Sequence, residues 1–235
     1  MTTQKLKTKI SGNAESLEGV LLRISAGIGR NIVEAEQGLK EAKKHKHEGL
    51  YYNIVLYEGE SLKENADPPQ AVENYLRLEQ KLSNLNDKQS LQNLESLKYD
   101  EKTGLLNRVG YNIEIEKLKR KGDYLPDERY VILLDGDDMH YLNQQFTYDT
   151  VDEYLKVIGA ALKKQTDFET DSEKRARNVD VLVNRKNDSA GDEFIINIRC
   201  SAESIASVAQ RYVKAMYAAE QCLTAKIMPN FKTKK

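Results

Sequence analysis

The chain has 235 residues, 40% apolar and 31% charged, with a formal net charge of −1. That length allows one large domain or two small ones, and that charge content suits a globular chain with much exposed helix. The near-zero net charge excludes a global pull toward DNA, RNA or anionic membrane. No run approaches a membrane span and Met1-Thr2-Thr3-Gln4-Lys5 opens no signal core, so a protein without a membrane span is expected. Cys200 and Cys222 fall on apolar segments; reduced, buried thiols and a cytoplasmic setting are the expectation.

From Ala14 to Lys43, Leu17, Leu21, Ile24, Ile28, Ile32, Ala35 and Leu39 recur at steps of three and four, which predicts a helix. Gly27 and Gly29 form a Gly-x-Gly with no strand expected before it, so close helix packing explains it better than a phosphate loop. Lys43-Lys44-His45-Lys46-His47 is a basic run at the helix end, where cations favour the dipole. His45 and His47 have no further ligands nearby and read as solvated.

Tyr51–Tyr57 reads as a second helix, with a strand as the alternative, and Pro68-Pro69 ends it. From Gln70 to Leu97 the pattern is helical again. Tyr75, Leu78, Leu82 and Leu85 keep a heptad step, and the register slips across Asn86-Asp87 to Leu91, Leu94 and Leu97. A short coiled coil with a stutter and a plain helical bundle both fit. Residues 1–98 are thus expected to be an all-helical regulatory or dimerising module.

Beyond Tyr99 the pattern changes. Gly104 marks a turn, and an amphipathic helix follows from Arg108 to Arg120. Arg129–Asp135 is an apolar run ending in an acid, the mark of a central strand with a ligand group at its carboxyl end. Asp135-Gly136-Asp137-Asp138 opens like a calcium loop, but Met139 and the missing glycine exclude an EF-hand. Asn187-Asp188-Ser189 followed by Ala190-Gly191-Asp192-Glu193-Phe194 reads as a hairpin tip carrying two carboxylates. Either an ordinary acidic turn or half of a two-segment Mg²⁺ site fits those residues.

Taken in order, these segments resemble the GGDEF family, the diguanylate cyclases, over about Leu97–Met228. The opening motif is Asp100-Glu101-Lys102-Thr103-Gly104-Leu105-Leu106-Asn107-Arg108. Asp135-Gly136-Asp137 resembles the family's Asp-x-Asp, and Ala190-Gly191-Asp192-Glu193-Phe194 its signature turn, with alanine for the first glycine. Leu155 keeps an apolar position three residues after Asp152.

The resemblance implies condensation of two GTP to cyclic di-GMP across a homodimer. Two Mg²⁺ ions, or Mn²⁺ in their place, would be held by Asp135, the Gly136 carbonyl, Asp192 and Glu193, with Asp192 and Glu193 as the catalytic acids. Asn143 and Asp152 would read guanine, which pairs two donors that a carboxylate accepts. Ala190, Gly191 and His140 would face phosphate. Arg177 and Asp180 match an inhibitory Arg-x-x-Asp site for cyclic di-GMP.

The implied fold is α+β, a ferredoxin-like palm with a mainly antiparallel sheet in the order βααββαβ, over residues 99–235. Its parts are strand Arg129–Asp135, helices Asp138–Phe146 and Val151–Gln165, strands Val179–Asn184 and Glu193–Cys200, helix Ala202–Glu220 and strand Leu223–Met228. The chain departs from the family in four places. His140 replaces a phosphate-binding lysine, Tyr148 and Val151 replace a histidine and a glycine, and the hairpin is about four residues longer. The family's last helix, with its basic phosphate-holding residues, has no counterpart before Lys235, where Lys226, Lys232, Lys234 and Lys235 are the remaining cations.

Overall fold

The computed structural model describes residues 7–12, 24–44, 52–57, 69–136, 148–171, 181–185 and 192–227. In chain order the elements are β1 (Lys7–Gly12), β2 (Ile24–Gly29), α1 (Ile32–Lys44), β3 (Tyr52–Tyr57), α2 (Gln70–Asn84), α3 (Lys88–Ser96) and α4 (Arg108–Lys121). A 3₁₀ turn (Pro126–Glu128) leads into β4 (Arg129–Gly136), followed by α5 (Tyr148–Asp171), β5 (Val181–Arg185), β6 (Phe194–Arg199) and α6 (Ala202–Ile227). The six strands among the described residues form one sheet in the order β1-β3-β2-β4-β6-β5. Every neighbouring pair is antiparallel except β2 with β3. The α+β class and the mainly antiparallel sheet agree with the sequence reading; the order of its parts does not.

Residues 1–98 are not all helical. β1, β2 and β3 lie there, and β2 pairs directly with β4. The apolar residues Ile24, Ile28 and Ile32 mislead because a step of four is even: it keeps one face of a strand as well as one face of a helix. Two glycines in Ile24-Ser25-Ala26-Gly27-Ile28-Gly29 also weaken a helix there. Tyr52–Tyr57, rich in aromatic and β-branched residues, takes its strand alternative. The sheet therefore runs across residue 98.

β2, α1 and β3 form a parallel βαβ crossover. Helix α1 starts after Arg30, whose backbone N–H donates to Glu34 Oε2 at 2.8 Å, while Glu34 N–H donates to Asn31 Oδ1 at 3.0 Å. The helix then presses onto β2. A Cβ at Gly27 would overlap the backbone of Ala35, Gly38 and Leu39. The Gly-x-Gly thus serves close packing as expected, between a strand and a helix.

Strand alternation divides the core between the two faces of the sheet. Tyr130, Ile132 and Leu134 of β4 with Phe194, Ile196 and Ile198 of β6 pack against Tyr154, Leu155 and Ile158 of α5 and Val208, Tyr212 and Met216 of α6. Val131, Leu133 and Ile195 pack on the other face against Ala35 and Leu39 of α1.

Helices α2, α3 and α4 bury their own small cluster of Val72, Tyr75, Leu94 and Ile113. The register slip at Asn86-Asp87 is a helix break. Asn86 takes a φ of 54°, and Asp87 caps α3 by accepting from Ser90 N–H at 3.0 Å. The opening motif fastens this group to the sheet. Asp100 Oδ2 accepts from Thr103 N–H at 2.9 Å and its hydroxyl at 2.7 Å, Asn107 caps α4, and Leu106 N–H donates to Val183 of β5.

At the other end, α6 runs through Ile227, so the expected last strand Leu223–Met228 is helix over its described residues 223–227. Nothing from Glu220 to Ile227 is a glycine or proline that would stop it. The expected helix Asp138–Phe146 lies outside the described residues.

Seating α1 on Gly27 gives a direct test. Gly27→Ala should lower unfolding stability by roughly 1–3 kcal/mol, the usual cost of overpacking. Urea unfolding measures it; an unchanged midpoint would contradict this packing.

Candidate functional site

β4 and β6 run antiparallel with Leu134 opposite Phe194. The same register carries Asp135 across from Glu193 and Gly136 across from Asp192 at the end of the ladder. On the other side of β4, Ser25 pairs with Asp135 and Ile24 with Gly136. Two acidic segments more than fifty residues apart in sequence therefore meet at one end of the sheet.

Asp135 follows Val131 and Leu133 onto the α1 face. There Lys43, in the last turn of α1, places its Nζ 2.8 Å from Asp135 Oδ2. The acid is buried and the lysine partly exposed.

Asp192 stands just before β6 and is only 8% exposed. A Cβ on Gly136 would lie 2.9 Å from Asp192 Oδ2 and 3.3 Å from the Tyr154 hydroxyl. Glycine at 136 is what leaves this space to the carboxylate. That Oδ2 is buried and has no hydrogen-bond partner among the described residues. Burial first, and repulsion from Asp135 second, push the Asp192 carboxyl up to about 7, against a smaller opposing pull from Lys43. Glu193 is half-buried beside it.

Below this pair, the Tyr154 hydroxyl of α5 donates to Glu220 Oε1 of α6 at 2.5 Å, and both residues are buried. Burial and the Glu220 charge hold the Tyr154 proton well above the ordinary phenol range.

The donor set suits a hard divalent cation. Two buried carboxylates, one with an unpartnered oxygen, flank the Gly136 backbone, and Mg²⁺ commonly takes one or two carboxylates and leaves its other positions to water and phosphate. Among the described residues no group of three or more His, Cys, Asp or Glu side chains is arranged to hold a metal. The protein's share would therefore be two carboxylates, not a full cage.

Of the other expected residues, Asp152 is on α5, where its Oδ1 accepts from Lys102 Nζ at 2.6 Å in a half-exposed ion pair. His140, Asn143, Arg177, Asp180, Ala190 and Gly191 lie outside the described residues, as does the tail 228–235. Cys200 is buried.

Three residues at this site escape a reading of the sequence: Lys43, Tyr154 and Glu220. Lys43 sits at the end of a helix whose start signal, Asn31-x-x-Glu34, is visible in the sequence. Glu220 falls four residues after Met216 on the inner stripe of α6, and an acid on an apolar face is itself a signal. Tyr154 gives none, being one apolar-face residue among several.

No family model and no curated protein matches this sequence. Among solved structures, the diguanylate cyclase SiaD in complex with its activator SiaC from Pseudomonas aeruginosa is similar at 21% identity and a TM-score of 0.39. The match covers 61% of this chain and 50% of that one, so this chain spans half of that protein's length. Among the described residues, no helix is long and apolar enough to cross a membrane.

The raised Asp192 carboxyl predicts a pH dependence. Between about pH 4 and 7 the folded chain keeps a proton that the unfolded chain has lost, so stability falls as pH rises through that window and levels off above it. The metal-free protein should lose on the order of 5 °C in Tm across this range. Asp192→Asn should flatten the slope; a slope unchanged in that variant would contradict the assignment.

Proposed function

We propose that this chain is a cation-dependent nucleotide cyclase of the diguanylate cyclase kind, condensing two GTP to cyclic di-GMP. The observation that carries the reading is that β4 and β6 bring Asp135 and buried Asp192 to one end of the sheet, with Lys43 paired to Asp135. Acids from two segments converging beside a lysine are what a triphosphate with its divalent ions requires.

In this reading Asp135, Asp192, Glu193 and the Gly136 carbonyl hold Mg²⁺, or Mn²⁺ in its place, two ions per site. The bound metal supplies charge neutralisation of the triphosphate and of the leaving pyrophosphate. Lys43, beside Asp135, would contribute a positive charge to the phosphates. Asp152, released from Lys102, accepts from guanine N1–H and N2–H₂, and Asn143 completes the base contact. His140 and the backbone of Ala190 and Gly191 approach the phosphates.

Each protomer presents one GTP, so the 3′-hydroxyl of one attacks the α-phosphate of the other in a homodimer. Two such steps close the ring and release two pyrophosphates. Arg177 and Asp180 bind the product as inhibitor. The α2–α3 part of residues 1–98 is the regulatory or dimerising segment.

A second reading is a nucleotide-binding module without turnover. His140 in place of a phosphate-binding lysine favours it, because a mostly neutral imidazole holds phosphate more weakly.

Incubation with GTP and Mg²⁺ separates the two. The enzyme reading predicts cyclic di-GMP, at a rate per protomer that rises with protein concentration. The double variant Asp192→Ala, Glu193→Ala should lose at least about two orders of magnitude in rate. Nucleotide binding in a calorimeter without product at any protein concentration would favour the second reading. Neither binding nor product would overturn both.

A further inference from the structure

The Tyr154–Glu220 pair lies under the acidic site, and neither residue belongs to the cation or nucleotide set above. The Tyr154 oxygen and Asp192 Oδ2 both lie within 3.3 Å of one point over Gly136. Yet the Tyr154 proton goes to Glu220, and Asp192 Oδ2 has no hydrogen-bond partner among the described residues. A buried carboxylate oxygen ordinarily takes any donor within reach, since leaving it bare costs about 1–3 kcal/mol. Here a second buried carboxylate, Glu220, takes the Tyr154 hydroxyl proton instead.

We propose that Glu220 is a positioning residue that keeps the Tyr154 hydroxyl off Asp192, so that Asp192 Oδ2 stays open to a divalent cation. The inference rests on the cation-site reading. It adds that the site's openness is imposed by α5 and α6, two helices that supply no ligand. Without Glu220, the Tyr154 hydroxyl turns to Asp192 and competes with the cation. Without both groups the competition disappears.

Mn²⁺ binding, followed by the paramagnetic resonance signal of the free ion, needs no nucleotide and no turnover. Wild type should bind. Glu220→Leu should bind at least about fivefold more weakly, the loss of one modest hydrogen-bonding competition. Adding Tyr154→Phe to that variant should restore binding to within about twofold of wild type, because both polar partners are then gone. A merely structural role for Glu220 predicts no rescue by a second core substitution.

Tyr154→Phe alone guards against a Glu220→Leu chain that does not fold. It should lower Tm yet leave Mn²⁺ affinity unchanged. Glu220→Leu binding like wild type, a double variant no better than Glu220→Leu, or weakened binding in Tyr154→Phe would each overturn the proposal. Absence of Mn²⁺ binding in wild type would overturn the cation site itself, and the inference with it.

Discussion

Lys43 and Asp135 meet at 2.8 Å, and the site depends on that meeting. It joins a helix in the first fifth of the chain to the central strand. Asp135 is almost fully buried, and a charge taken out of water needs a partner. Lys43 serves Asp135 but only weakly offsets Asp192, whose carboxyl is still raised to about 7. Asp135 and Asp192 are both buried, and Lys43 pairs with Asp135.

The sheet makes the meeting possible by taking strands from both ends of the chain. β4 lies between β2 and β6, so one edge of its carboxyl end faces the N-terminal βαβ unit and the other the β5–β6 hairpin. α1 sits close because Gly27 and Gly38 remove side chains from the contact, which lets Ala35, Leu39 and then Lys43 follow the β4 face. The cost is topological. Residues 24–29 must find residues 131–136, a long loop to close before the site exists.

Much of the second half was legible in the sequence. The apolar run before Asp135 is a fully buried strand, the turn chemistry before Phe194 leads into the hairpin strand, and α6 buries the residues its periodicity selects. The first half was misread at one step. Ile24, Ile28 and Ile32 satisfy both periods, and the helical stripe runs through two glycines that weaken a helix. That error hid β2, detached α1 from the sheet, and left the site without its lysine. Asp152 was legible as a candidate, but its engagement by Lys102 depends on a turn and a helix fifty residues apart, which spacing alone does not bring together.

In the proposed function, three distant segments surround a divalent-cation site. Line broadening by Mn²⁺ in an amide-resolved NMR spectrum tests it most directly. Substoichiometric Mn²⁺ should first erase the amides of Ile24 and Ser25, Asp135 and Gly136, Asp192 and Glu193, and Lys43 and Lys44 together, while those of α2 and α3 persist. Broadening confined to exposed acids such as Asp149 and Glu153, or no selective broadening at all, would contradict it.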